Sequence, residues 1–214
     1  MKVTSSPIFL LDVERDIAEP AELLDAITED HLADWEGEWM PELFKAMQRL
    51  RRAGVERRLW PQSRHWNWRN KAAALQGMLG KPGFSIVCCG VTQGMMIVDS
   101  VTKRCRIGSQ KGKDLVYVEF LENAPWNRKE LLFDPPRYRG VGTVLIAAAI
   151  ELSKSEGFKG RVGLHSLPQS NGFYANKCGM TDLGIDTAYD DLRYFEMTPD
   201  QAEAFRKKGA SHEV

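Results

Sequence analysis

Residues 137–157 read RYRGVGTVLIAAAIELSKSEG, and the order of residue types within them decides how the chain folds. From Val141 to Ile150 nearly every side chain is apolar, so the segment running on to Glu156 is a buried helix, about 24 Å long at 1.5 Å per residue, and Gly157 closes it. The seven residues that open it have a different character. Gly140 and Gly142 remove Cβ atoms where a ligand backbone can come close. The unpaired N–H groups of a first helical turn, aided by the positive end of the helix dipole, suit a pyrophosphate. Arg137 and Arg139 add charge for further phosphate oxygens. The pattern is neither a P-loop, since Gly-Lys-Ser/Thr is missing, nor GxGxxG, since no third glycine follows in step.

Working outward, LVYVEFL (115–121) precedes this loop and is apolar on both alternating faces except at Glu119, the mark of a central strand covered on both sides. Upstream of it, FSIVCC and MMIVDSV are strand-like runs joined by GVTQG, which reads as a hairpin. RCRIGSQ continues that sheet or forms a short edge. Downstream, RVGLHS is a strand, SNGFYANKC a short helix, MTDLGI and LRYFEMT closing strands, and PDQAEAFRKK a C-terminal helix. The first 80 residues read as an N-terminal strand followed by a helical region. Pro41 suits a first turn, Leu43, Met47 and Leu50 recur on one face, and Gly54 follows a basic last turn. WRNKAAALQGML is a second helix stopped by GKPG. The expected architecture is α/β (α+β): a mixed, mostly antiparallel sheet with helices on both faces and an N-terminal helical extension. Residues 1–80 form the extension, packed on the same domain and shaping its binding site, and 81–214 form the core.

The bulk composition limits what the protein does. Of 214 residues, 43% are apolar and 27% charged, and the net charge is zero, so no global field favours nucleic acid or membrane. The absence of a long apolar run argues against a signal peptide or a membrane span. Cys88, Cys89, Cys105 and Cys178 show no CxxC spacing and read as free thiols of a reducing cytoplasm. They form no metal-ligand pattern with His31, His65, His165 and His212, so no metal site is expected. Charge is nonetheless uneven. Residues 12–42 hold twelve acidic side chains against Arg15 alone, and residues 49–71 hold eight basic ones against Glu56 alone.

Arg137-x-x-Gly140-x-Gly142, opening an apolar helix after a strand, resembles the acyl-CoA pyrophosphate motif of the GNAT superfamily of N-acetyltransferases. GFYANKCGM, 172–180, resembles that family's second motif, and the likeness spans about residues 84–198 in the same element order. It implies acetyl-CoA as acyl donor, held by Arg137, Arg139, Gly140, Val141, Gly142 and Thr143, with Asn123 and Ala124 beside its pantetheine arm. It implies direct attack of a primary amine on the thioester. Glu119 matches the strand carboxylate that serves as general base, with an ion pair to Arg104 or Arg106 as the alternative. Tyr174 matches the tyrosine that protonates the leaving thiolate. Two features depart from the family pattern. Four residues rather than three separate Tyr174 from Gly179, and one extra residue turns a helix by about 100°. The connection 122–136 is also longer than usual, and places Trp126, Asn127 and Arg128 near the acceptor mouth unless it is a flap covering core.

HWNWR (65–69) reads as core or, through Trp68, as part of an acceptor cage. His165-Ser166 suggests a hydrolase triad, but no GxSxG elbow surrounds the serine. The leading expectation is a cytoplasmic N-acetyltransferase for an amine on a small molecule or a protein. The alternatives are an RNA-linked amine such as aminoacyl-tRNA, drawing on the basic segment 49–71, or a non-catalytic acyl-CoA-binding module. Homodimerisation stays open.

Overall fold

The computed structural model describes residues 3–75, 77–78, 80–131 and 135–210. His212 and part of the 122–136 connection therefore lie outside the described residues. Strands β1 (Ser5–Asp12), β2 (Ile17–Leu24), β3 (Gly83–Cys88), β4 (Val91–Asp99), β5 (Val116–Asn123), β6 (Tyr138–Arg139), β7 (Val162–Ser166), β8 (Thr181–Asp186) and β9 (Leu192–Met197) form one sheet. Their order is β6-β1-β2-β3-β4-β5-β7-β9-β8. β5 and β7 are parallel, whereas the β1–β2, β1–β6, β2–β3, β7–β9 and β8–β9 ladders are antiparallel. The helices are α1 (Glu29–Asp34), α2 (Met40–Arg52), α3 (Trp68–Leu75), α4 (Val141–Ser155) and α5 (Pro199–Ala210). The expected mixed, mostly antiparallel sheet with helices is the one found.

Contacts divide the chain into two compact units, residues 1–78, 83–96 and 121–145, and residues 79–82, 97–120 and 146–214. They do not separate 1–80 from 81–214. In the first unit the chain begins with a hairpin rather than a single strand. IAEPAELL carries helix-forming residues, yet it pairs with β1 along its whole length. Pro20 is tolerated because the β2–β3 ladder starts only at Ala21, so the missing N–H is not needed there. Asp12 closes the turn by accepting the amides of Glu14 and Arg15 at 3.1 and 2.9 Å. The β3–β4 hairpin turns at Cys89-Gly90, both at positive φ, and not over GVTQG. Val91 to Gly94 already belong to β4.

After α1, a single π-helical turn (Trp35–Trp39) leads into α2. Ala46 and Leu50 of α2 pack with Leu131, and Leu43, Met47, Val55 and Trp60 surround them. The expected apolar face of α2 is thus the buried one. In β4, a Cβ on Gly94 would meet Val141 Cγ1 at 2.5 Å and Leu145 Cδ1 at 3.1 Å. That glycine lets the first turn of α4 lie directly on the strand. The second unit contains the parallel β5–β7 pair, the β8–β9 hairpin and α5. RCRIGSQ forms no strand: it contributes one isolated bridge, Arg104 to Asp114, and a short 3-10 turn. Gly157 at φ 78° ends α4 as expected. No described helix is long and apolar enough to cross a membrane.

Candidate acyl-CoA site

The loop before α4 is held from both sides. Arg137 donates its amide to the Trp126 carbonyl at 3.0 Å, and its own carbonyl accepts the Val13 amide at 3.0 Å. Tyr138 and Arg139 then pair with Asp12 and Leu11 of β1. Tyr138 is buried and its neighbours Arg137 and Arg139 are exposed, the alternation of a strand. Neither arginine forms an ion pair with a carboxylate among the described residues. Gly140 sits at φ 103°, a conformation that side-chain-bearing residues rarely adopt. The first helical bond of α4 runs from the Val144 amide to the Gly140 carbonyl at 2.9 Å. The amides of Val141, Gly142 and Thr143 consequently have no acceptor within the helix.

Beneath this loop lies a network of buried polar side chains that the sequence did not announce. Gln93 of β4 is 1% exposed, and its Oε1 accepts from Trp126 Nε1 at 2.8 Å and Asn127 Nδ2 at 3.0 Å. Asn127 Oδ1 in turn accepts the Tyr138 amide at 2.8 Å. Glu122 is the second node: it accepts from Trp68 Nε1 at 2.7 Å and from Arg128 Nη1 at 2.7 Å. Arg128 also pairs with Glu130 at 2.9 Å. Trp68, Asn127 and Arg128 are all buried, and the half-buried Trp126 is bonded inward. The four residues expected at an acceptor mouth therefore serve as struts of the 122–131 segment. A buried charge needs partners, so Glu122 and Arg128 occupy each other. Trp68 belongs to the core, the other of the two readings of HWNWR.

Of the two residues expected beside pantetheine, Ala124 has its amide engaged with the Gln93 carbonyl at 2.9 Å. Asn123 differs: its Oδ1 is buried with no hydrogen-bond partner among the described residues. Such an atom costs stability unless a ligand or water satisfies it.

In the second unit Glu119 keeps 29% of its side chain exposed and pairs with Lys81 at 2.8 Å. Lys81 also meets the buried Asp99 at 3.0 Å. The arginines expected as alternative partners are committed elsewhere, Arg104 to Asp114 and Arg106 to Asp186. Lys81 lies in the GKPG break, and no periodicity marks it as a partner for a strand residue 38 positions away. Asp99 accepts from Thr102 and from the amides of Val101 and Thr102 as well as from Lys81, which together outweigh burial and hold its pKa at about 2.

Tyr174 lies in a π-helical turn, Phe173–Lys177, in which the Cys178 amide reaches back to the Phe173 carbonyl at 3.0 Å. Such a turn holds one residue more than an α-helical turn. Tyr174 is buried against Phe173 and Phe195, and burial pushes its pKa up. Nearby in sequence, Asn171 Oδ1 is another buried acceptor with no partner among the described residues.

His165 takes no part in a serine triad. Its Nδ1 meets the Tyr117 hydroxyl at 2.7 Å and its Nε2 meets Asp186 Oδ2 at 3.0 Å. Ser166 Oγ bonds the Leu167 carbonyl instead. Tyr189 stacks on the imidazole with centroids 4.0 Å apart. Burial lowers the His165 pKa, and Arg106 and His165 hold Asp186 at about 2. Three of the four thiols are buried and all four are free. No group of metal-ligating residues occurs among the described residues.

No family model and no curated protein sequence matches the chain. Solved structures do match. An uncharacterized protein from Bacillus halodurans superposes with a TM-score of 0.59 at 11% identity over 98% of both chains. The GNAT domain of PAT from S. lividans gives 0.55 at 14% identity, over 90% of this chain and 96% of that one. The fold is that of a GNAT domain. Mycobacterium smegmatis RimJ, solved with CoA-disulfide, shares this GNAT fold at a TM-score of 0.51 and 13% identity, over 97% of this chain and 95% of that one. At these identities the likeness establishes the fold alone.

Proposed function

We propose that the protein is an acetyl-CoA-dependent N-acetyltransferase acting on a primary amine, on a small molecule or a protein. The observation that carries this reading is the loop at the start of α4: on a GNAT fold, it presents three helix-start amides, two arginines with no carboxylate partner among the described residues, and a glycine at φ 103° together. The match to RimJ, whose structure contains a CoA derivative, supports the same assignment. The residues present fit such a donor. Arg137, Arg139 and the amides of Val141, Gly142 and Thr143 would hold the pyrophosphate. The unpartnered Asn123 Oδ1 would accept an amide N–H of the pantetheine arm. Acetyl-CoA, when bound, supplies an acetyl group activated as a thioester.

Within the second unit, Glu119 would take the proton of the attacking amine, steered by its pair with Lys81. Tyr174, kept protonated by burial, would donate its hydroxyl proton toward the leaving sulfur. The π-turn is the device that carries the extra residue without breaking the local helix. The protein would work in the cytoplasm. A non-catalytic CoA-binding module is the second reading: in it Lys81 holds the Glu119 carboxylate as a structural ion pair, since a neighbouring cation makes a carboxylate a weaker base.

The test is thiol release from acetyl-CoA, followed with purified protein and a panel of small amines and peptide N-termini. The proposal expects release with at least one acceptor, and loss of most turnover in Glu119→Gln. Saturable CoA binding with no release from any acceptor supports the module instead.

A further inference from the structure

We propose that the arginine-rich surface of residues 49–64 is a docking face for the phosphate backbone of RNA, separate from the acetyl-transfer chemistry. Eight basic residues follow the acidic segment 12–42, and the plain expectation is that the acids fold over and neutralise them. The structure shows this for Arg69, which grips Glu29 and Glu36 through four contacts of 2.8 to 2.9 Å. Arg58 pairs only with its neighbour Glu56. Arg49, Arg51, Arg52, Arg57 and Arg64 are exposed, and none of them is paired with a carboxylate among the described residues.

Three of these side chains share the last turn of α2 and two lie on the short turns that follow it. Arg49 and Arg52 lie one turn apart on α2, and Arg51 sits beside them in its last turn. Arg57 and Arg64 lie on the two short 3-10 turns that follow. Gln48, Arg51 and Arg52 line an open concavity of about 410 Å³. The carbonyl end of a helix carries roughly half a negative charge, far less than three arginines supply. An excess of positive charge therefore remains on a protein whose net charge is zero.

The chemistry of the patch selects the partner. No lysine occurs between 49 and 64, and the planar guanidinium fork matches phosphate oxygens two at a time. The buried face of α2 packs on Leu131, Val55 and Trp60, and the exposed Phe44 and Leu59 are too few to make an amphipathic face that enters a bilayer. The arginines cluster at a helix end and on short turns rather than along a helix able to lie in a DNA major groove. Exposed Leu59 and His65 give unstacked bases apolar and aromatic surface, the mode by which single-stranded RNA loops are bound.

The experiment is anisotropy of a fluorescein-labelled RNA stem-loop titrated with the full chain over a range of salt. Binding is expected at low salt, with a slope of log affinity against log salt of about −2 to −4 for three to five neutralised phosphates. Arg51→Glu/Arg52→Glu should weaken binding at least about tenfold and flatten the slope by about two. Lys111→Glu, an exposed basic residue on the second unit, should leave binding unchanged. Circular dichroism melts confirm that each variant is folded. The proposal is overturned by absence of RNA binding at low salt, or by a flat salt profile. It also fails if the double variant binds like the parent, or if duplex DNA or phosphatidylserine vesicles bind more tightly than the RNA. CoA binding is read in a separate titration, so failure here leaves the acetyltransferase proposal untouched.

Discussion

Glu122 and Arg128 show how far a residue's type can mislead about its task. An arginine in a long loop beside an expected cofactor site invites an acceptor-binding role, yet Arg128 is 7% exposed and spans two carboxylates. Nothing in the spacing of the 122–136 segment signals this, because the pairing depends on Trp68, 54 residues away from Glu122. Removing one member of a buried pair leaves the other uncompensated, which costs about 3–5 kcal/mol. Arg128→Ala should therefore lose about that much stability in urea denaturation, and Arg128→Ala/Glu122→Gln should lose less than Arg128→Ala alone. A loss below about 1 kcal/mol in the single variant would show the pair to be incidental. Glu119, by contrast, was legible as the one charge in an apolar strand. Its partner Lys81 was not, since a lysine in a turn carries no sign of where it reaches.

At the scale of elements, the strongly periodic segments were readable and the compromised ones were not. The all-round apolar α4, the central β5 and the β8–β9 pair were each visible from their own residues. β2 was hidden because its composition favours helix, and only the ladders on either side of it impose an extended chain. The β3–β4 turn falls at Cys89-Gly90, where both residues take positive φ, and not across the whole of GVTQG, because Gly94 has a different task. Gly94 is in fact a packing glycine, the site where β4 gives way to the first turn of α4. Gly94→Val should force Val141 outward and cost about 1–3 kcal/mol or more by overpacking. It should also weaken CoA binding by displacing the amides of residues 141–143. Val141→Ala in the same background should restore part of both, and a Gly94→Val protein with parental stability and binding would contradict this role.

For the whole molecule, titration sets the range of pH over which the fold holds. Burial pushes His31 and His165 below the ordinary value of 6.5. The unfolded chain thus takes up their protons first as pH falls, and stability full above about pH 6.5 declines beneath it. Asp99 and Asp186 are held at about 2 against an ordinary 3.8. Their contribution, complete above about pH 4, is lost as pH falls toward 2. Melting temperature should accordingly be flat from pH 8 to 7, fall gently below 6.5 and fall steeply below 4. A melting temperature that rises on acidification would contradict these environments.

The central claim is that the loop before α4 holds the diphosphate of CoA, and calorimetric titration of CoA into the purified chain addresses it most directly. The account predicts saturable binding of one CoA per chain. Arg137→Glu/Arg139→Glu, which changes two exposed side chains and leaves the fold intact, should weaken it at least about tenfold, or about 1.4 kcal/mol. Absence of binding to the parent protein, or equal affinity in the double variant, would contradict it.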